Sequence, residues 1–289
     1  MGRYLAIFAL LCCASRVLSQ DGDTRIVGGI SAPISRYSFV VQVLQSGQML
    51  CSGVFVSRRC VLTSANCIAP TNNTGQNPEN FSVRVRTESL NEAGTEHALL
   101  TTEHAVSALE VHPNFNRTSL DSDLAILVLT RNLTPSLLVS PVEVALNDAP
   151  DNASVAILGW GRLHPNSPEA FSPTLQIAEV TTISREQCRT RLPQQPVTDN
   201  MFCTVPLIYQ GYVCAGDKGG PVLHNGSLAG LVSVDEHCSP NLPSVNVRVS
   251  QFRTWISDMV KKHNSGHTLG GLSATLLIFT LLTSVKLNL

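Results

Sequence analysis

A ten-residue loop, VCAGDKGGPV at 213–222, places one potentially reactive side chain among glycines. Lys218 stands between Asp217 and the pair Gly219 and Gly220. A deprotonated lysine amine can attack a carbonyl carbon, whereas a charged ammonium can only pair with an acid. Because Asp217 is the adjacent residue, its carboxylate favours the charged form of the amine. The loop therefore predicts a paired ammonium in preference to a nucleophile.

The composition predicts a folded, β-rich globular protein. The chain has 289 residues, of which 43% are hydrophobic and 14% are charged, so it can bury a sizeable core. Its formal net charge is −1 and no basic stripe is visible, which argues against a nucleic-acid partner.

The cysteines indicate disulfides. Of the nine, two lie in the first 20 residues, and the spacing of the remaining seven does not resemble a zinc site. We expect no metal and no cofactor, and because seven is odd, one thiol remains unpaired.

Both ends of the chain resemble targeting segments. Residues 1–19 have the basic start, apolar run and small residues of a secretory signal peptide, and residues 20–25 would follow as a short propeptide. Residues 264–289 end in an apolar run that is short for a spanning helix. A glycosylphosphatidylinositol (GPI) signal, a short membrane anchor and an unprocessed tail all remain open. The chain is therefore expected to be secreted and extracellular, or tethered at the cell surface.

Asparagine-x-serine/threonine sequons support a secretory route. Each sequon is a weak signal, but several in one secreted chain predict some glycosylation. The sequon asparagines are Asn72, Asn80, Asn116, Asn132, Asn152 and Asn225.

Between these ends, short apolar runs bounded by Gly, Pro, Asn and Ser predict strands. Asn225-Gly226 between two such runs predicts a tight hairpin. Residues 251–262 carry apolar side chains at helical spacing and predict one amphipathic helix. The segment 131–150 is a candidate linker between two β-barrels. The remaining predicted strands are 39–44, 54–57, 81–86, 124–129, 155–158, 174–183, 201–205, 222–224 and 227–232.

Five segments, met in order along the chain, resemble the trypsin- and chymotrypsin-like serine proteases. They are RIVGG at 25–29, CSG with VLTSANC at 51–67, DSDLAIL at 121–127, GWG at 159–161 and the loop at 213–222. The resemblance extends over residues 26–263 as one domain. It implies an all-β fold of two six-stranded antiparallel β-barrels with a C-terminal α-helix.

The resemblance also implies that the catalytic triad is degenerate. The family's histidine position is Asn66 and its serine position is Lys218, so only Asp123 remains of the three. An asparagine amide cannot accept a proton near neutral pH. We expect the Lys218 ammonium to turn toward Asp123 through the space that the imidazole would fill. The other histidines considered as substitutes are expected to be loop or surface residues: His97, His104, His112, His164, His224 and His237.

Other family positions are present or altered. Cleavage after Arg25 would free the α-amino group of Ile26, and Asp217 occupies the position that receives it. Tyr212, Asp235 and Ser244 fall at substrate-pocket positions, where a bulky floor and a charged wall imply a closed or repurposed cleft. The implied disulfides are Cys51 to Cys67, Cys188 to Cys203 and Cys214 to Cys238, which leaves Cys60 either as a buried apolar residue or in an intermolecular bridge.

Two functions follow as hypotheses. The first is a non-catalytic protease homologue that binds a protein partner of unknown identity, for which a protease, a protease inhibitor and a zymogen are the candidates. The membrane would enter only through the C-terminal tail. The alternative is an enzyme, either a residual endopeptidase or an unconventional one that uses Lys218 as an amine nucleophile toward a carbonyl substrate. The partner cannot be derived from the fold itself.

Overall fold

The computed structural model describes residues 29–69, 76–85, 102–134, 139–162, 171–207, 211–235 and 238–264. The predicted signal peptide and propeptide, with Arg25 and Ile26, lie outside these ranges. So do Asn72, residues 265–289, and the histidines at 97, 164 and 237. No helix within the described ranges is long and apolar enough to span a membrane.

Two closed antiparallel β-barrels form the body, as the resemblance implied. The first has the strand order β2-β3-β4-β7-β6-β5. Its strands are β2 (Val40–Gln45), β3 (Gln48–Phe55), β4 (Cys60–Thr63), β5 (Phe81–Val85), β6 (Thr102–Val111) and β7 (Ala125–Leu129).

The second barrel follows after the predicted linker at 131–150, whose described residues (131–134 and 139–150) form no strand. Its order is β9-β10-β13-β12-β11-β8, it closes through the pairing of β8 with β9, and a short β1 (Ile30–Ser31) adds to the outer edge of β9. Its strands are β8 (Ser154–Gly159), β9 (Gln176–Ile183), β10 (Met201–Pro206), β11 (Pro221–His224), β12 (Ser227–Val234) and β13 (Ser244–Arg248).

Strand β7 shows how the sequence builds two cores at once. Ala125, Leu127 and Leu129 point into the first barrel, whereas Ile126 and Val128 belong to a second cluster packed between the barrels. A strand that is buried on both faces needs an uninterrupted apolar run, which AILVL supplies. In contrast, β5 alternates buried and half-buried residues, as expected of a strand with one face in the core.

The interbarrel core also holds the C-terminal helix. A 3₁₀ turn (Val249–Phe252) leads into α3 (Arg253–Asn264). The helix therefore begins and ends two residues later than the predicted 251–262. Phe252 and Ile256 are buried in the interbarrel cluster. His112 lies in a loop directly after β6, as expected, but its ring is buried and packs edge-on against Phe252 and Trp255.

The hairpin at Asn225-Gly226 is confirmed. The turn joins β11 to β12, His224 is paired with Ser227, and both turn residues have positive φ angles of 50° and 81°. The strand predicted at 54–57 is corrected, because β3 begins at Gln48 and ends at Phe55. Strands β4, β6 and β13 and the helix α2 (Arg185–Arg191) were not predicted.

Three disulfides form with the pairings that the resemblance implied: Cys51 to Cys67, Cys188 to Cys203 and Cys214 to Cys238. Cys60 is a free thiol, fully buried on β4 in the interbarrel core, and this burial raises its pKa. The five described sequon asparagines are exposed: Asn80, Asn116, Asn132, Asn152 and Asn225. Their glycosylation remains a prediction.

Candidate active-site cleft

The family's triad positions meet in a cleft between the barrels. Asn66 lies on the short helix α1 (Ala65–Ile68) directly after β4, and Asp123 lies just before β7. Lys218 comes from the second barrel, in the loop that precedes β11. Residues far apart in sequence therefore line one opening of about 320 Å³, whose lining includes Asn66, Lys218 and Asp235.

Asp123 is fully buried beneath this cleft and has its own set of donors. Its carboxylate accepts hydrogen bonds from the Ser64 hydroxyl (2.7 and 2.8 Å), the Asn66 backbone N–H (2.7 Å) and the Ser233 hydroxyl (2.5 Å). Burial raises the pKa of Asp123, although these hydrogen bonds and the positive charge of Lys218 oppose the rise. None of its donors in the described ranges is a histidine.

The Asn66 side chain is held by an arginine instead of by Asp123. Its Oδ1 accepts a hydrogen bond from Nη1 of Arg117 at 2.9 Å, and Nη2 of the same guanidinium donates to the Ala69 carbonyl at 2.6 Å. The amide oxygen of Asn66 therefore faces a cation. Such a group accepts hydrogen bonds but has no basicity with which to take up a proton.

The Lys218 loop is shaped by glycines and fastened to both barrels. Gly216 and Gly219 have φ angles of 104° and 77°, which favour glycine. The Lys218 carbonyl accepts a hydrogen bond from the Ser52 N–H of the first barrel at 2.9 Å, and Gly219 N–H donates to the Val232 carbonyl at 2.8 Å. This loop holds the backbone at 218 in place whichever side chain it carries.

The Lys218 ammonium pairs with Asp235, so the predicted pairing with Asp123 is wrong. Nζ lies 3.6 Å from Oδ1 of Asp235, and the Lys218 side chain is only 15% exposed. Asp235 is 5% exposed, and its other oxygen, Oδ2, accepts hydrogen bonds from the N–H groups of Gly216 (2.8 Å) and Lys218 (3.2 Å). The hydroxyls of Ser64 and Ser233 and the Asn66 N–H already donate hydrogen bonds to Asp123. These donors stabilise its buried carboxylate without the amine of Lys218.

Asp217 points away from the cleft into the second barrel. Its carboxylate is fully buried and accepts hydrogen bonds from the N–H groups of Gly161 (2.8 Å) and Cys214 (3.0 Å). Burial raises the pKa of Asp217 to about 7, against the effect of these two hydrogen bonds, and the negative charge of Asp235 raises it further. The expected partner, the Ile26 amine, lies outside the described residues.

Of the three predicted pocket positions, only Asp235 lines the cleft. Tyr212 and Ser244 are partly buried and are not part of its described lining; Ser244 begins β13 opposite Thr204. Burial raises the pKa of the Tyr212 hydroxyl. In the described ranges, no three acidic, histidine or cysteine side chains come together as a metal site.

Four residues of the site were not singled out from the sequence: Ser64, Arg117, Phe171 and Ser233. Ser64 lies two residues before Asn66 within the quoted motif, and its position could have indicated a contact with Asp123. Phe171 packs on Gly216, where an added Cβ would lie 2.6 Å from its ring. No sequence pattern distinguishes Arg117 from other exposed arginines, because its partner is 51 residues distant.

Comparison with known proteins gives one consistent result. A family model described as Trypsin matches residues 26–256. "Trypsin, alkaline A" of Manduca sexta is 35% identical over 267 residues, covering 89% of this chain and 98% of that protein. "Chymotrypsin-2" of Vespa crabro is 30% identical, covering 80% and 98%.

The fold comparison agrees. The structure of neuropsin, a serine protease expressed in the limbic system of mouse brain, superposes with a TM-score of 0.68 at 27% identity. The match covers 81% of this chain and 98% of neuropsin. The two barrels, the C-terminal helix and the family match over nearly the whole body show that this chain belongs to the trypsin family of serine proteases.

Proposed function

We propose that this chain is a non-catalytic member of the trypsin family that acts as a secreted or surface-tethered binding protein. The observation that carries the proposal is the state of the two altered triad positions. The Asn66 amide is bound to Arg117, and the Lys218 ammonium is paired with Asp235.

Acyl transfer needs a base that takes the proton of the attacking hydroxyl. In the family mechanism a histidine does this, and a buried aspartate holds the imidazole in the correct tautomer. Asp123 is present and buried, but Asn66 has no group that can be protonated near neutral pH. Removing either the serine or the histidine from such a triad lowers turnover by a factor on the order of 10⁶.

The amine of Lys218 does not replace the missing nucleophile. An amine attacks a carbonyl only in its neutral form, whereas the Lys218 ammonium is already paired with the carboxylate of Asp235. A lysine acyl intermediate would be an amide, which is far more stable than the ester that serine forms. The pairing thus supports binding over the alternative of an unconventional peptidase.

The proposed partner is a protein of the extracellular proteolytic system. Three disulfides fit an extracellular protein, and a protease, a protease inhibitor and a zymogen remain the candidate partners. We include cleavage after Arg25 as a switch of the binding surface, because the receiving carboxylate of Asp217 is retained and buried.

The test compares the protein, cleaved after Arg25, with its Lys218→Ala variant. Both are incubated with peptide substrates of basic, aromatic and small side chains and with a serine-directed fluorophosphonate probe. We expect no turnover above the Lys218→Ala baseline and no labelling, under conditions in which an active trypsin gives both signals.

Turnover that the Lys218→Ala substitution abolishes would overturn the non-catalytic function and establish the amine as a nucleophile. Arg185→Ala serves as a matched control, because this cation is partly exposed, lies outside the cleft lining and pairs with Asp199. A loss of turnover in both variants would indicate a general defect in folding, which circular dichroism of the variants identifies.

A further inference from the structure

The carboxylate of Asp235 lies at the centre of three donors. Oδ2 accepts hydrogen bonds from the backbone N–H groups of Gly216 and Lys218, and Oδ1 faces the Lys218 ammonium. Both oxygens are therefore engaged in a site that is nearly closed to water, since Asp235 is 5% exposed. A carboxylate buried in this way is retained only where such donors replace its hydration.

Two of these donors are preset by the backbone. The turn at Gly216 aims its N–H and that of Lys218 at one point, 2.8 and 3.2 Å from the same oxygen. In an active family member, a pair of N–H groups at this place stabilises the oxyanion of the acyl intermediate. The donors persist in this chain independently of the side chain at 218.

The third donor is specific to this sequence. Serine would place a short hydroxyl at 218, whereas lysine adds a cation beside the backbone pair. A carboxylate matches this set better than a peptide carbonyl does, because it offers two oxygens and a full negative charge. Lys218 and Asp235, both departures from the family pattern, are therefore complementary to one another.

The fold holds Asp235 at this site. It follows directly on β12, and the disulfide between Cys214 and Cys238 joins the loop to the segment that carries the carboxylate. The Ala215 N–H also contacts Sγ of Cys238 at 3.2 Å. Phe171 covers Gly216 from the cleft side. The disulfide therefore keeps Asp235 close to the N–H groups of Gly216 and Lys218.

We infer that the oxyanion hole of this chain has become a carboxylate-binding site, which Asp235 occupies from within and which a ligand carboxylate can occupy once Asp235 is removed. The inference goes beyond the proposed function, because it concerns what the two backbone N–H groups bind and is tested without any measurement of turnover. It also adds an obstacle to catalysis besides the changed side chains at positions 66 and 218, because a substrate carbonyl and Asp235 cannot share the two N–H groups.

The experiment titrates sodium acetate into the Asp235→Gly variant labelled with ¹⁵N at glycine and lysine. We expect saturable chemical-shift changes at the Gly216 and Lys218 amides, absent with sodium chloride at equal ionic strength. The wild-type amides should not respond, because their site is filled. Asp199→Gly is the matched control, since the Asp199 side chain is 85% exposed and lies on the surface. In this variant the Gly216 and Lys218 amides should behave as in the wild type.

An acetate response of equal size in the wild type, or no response in a folded Asp235→Gly variant, would overturn the inference. A second measurement needs no variant. In the folded wild type, the Gly216 and Lys218 amides should be protected from hydrogen exchange by their bonds to Asp235. Exchange of both at the rate of unprotected amides would also refute the site. Neither readout depends on turnover, so this inference and the proposed function can fail separately.

Discussion

The carboxylate of Asp217 occupies space that Gly159 and Gly161 leave open, because neither has a side chain. A Cβ at Gly161 would lie 2.5 Å from Cγ of Asp217, closer than van der Waals contact allows. The carboxylate cannot retreat easily, because two backbone N–H groups hold it. We expect Gly161→Ala to destabilise the fold by roughly 1–3 kcal/mol, as overpacking does, measured as the change in the free energy of unfolding in urea.

The same substitution in an Asp217→Ala background provides the control. Removing the carboxylate makes room for the new methyl group, so the cost of Gly161→Ala should be smaller there than in the wild type. Equal costs in both backgrounds would show that the penalty comes from the backbone of Gly161 and not from contact with Asp217.

At the scale of single residues, the sequence predicted positions better than contacts. The positions of Asn66, Asp123 and Lys218 followed from short motifs, and the structure places Asn66 and Lys218 on one cleft with Asp123 buried beneath it. The partner of Lys218 did not follow, because the choice between Asp123 and Asp235 depends on which carboxylate already has donors. Ser64 and Ser233 supply those donors to Asp123. No local sequence pattern predicts these two hydrogen bonds.

At the scale of elements, helix α3 closes the interbarrel core, and Ile256 is its anchor. Ile256 is 3% exposed and packs with residues of both barrels. We expect Ile256→Ala to cost about 2–5 kcal/mol, because it removes buried methyl groups and leaves a cavity. Urea unfolding monitored by tryptophan fluorescence measures the cost. Ser257→Ala, at an exposed position of the same helix, should change stability by about 0.5 kcal/mol or less; a similar cost for both would contradict the role of Ile256 as anchor.

The elements that the sequence predicted are those with a strong local signal. The uninterrupted apolar run AILVL of β7 and the Asn-Gly turn after β11 are examples. Strand β6 was missed because most of its residues are partly or fully exposed, so that its pattern is mixed. Helix α2 buries only Cys188 and so has no apolar face. The sequence feature that could have predicted it is the capping box of Ser184 and Gln187. Weak burial leaves weak periodicity.

At the scale of the whole molecule, burial of Asp217 inside the second barrel makes the stability of the fold depend on pH. Its folded pKa of about 7 lies above its ordinary value of 3.8. The unfolded chain therefore loses this proton at lower pH than the folded chain does. The contribution of Asp217 to stability is complete below roughly pH 4 and decreases as the pH rises toward 7, by up to about 1.4 kcal/mol per pH unit.

Cleavage after Arg25 should change this dependence if the Ile26 amine reaches Asp217. An α-amino group is positively charged below about pH 7.7, so pairing would favour the ionised carboxylate and lower its folded pKa. We expect the cleaved chain to lose less stability between pH 4 and 7 than an uncleavable Arg25→Gln chain, in urea unfolding at a series of pH values. Asp217→Asn should make the two profiles parallel, because it removes the titrating group. Parallel profiles in chains that keep Asp217 would show that the amine does not pair with it, and the proposed switch would then lack its receiving group.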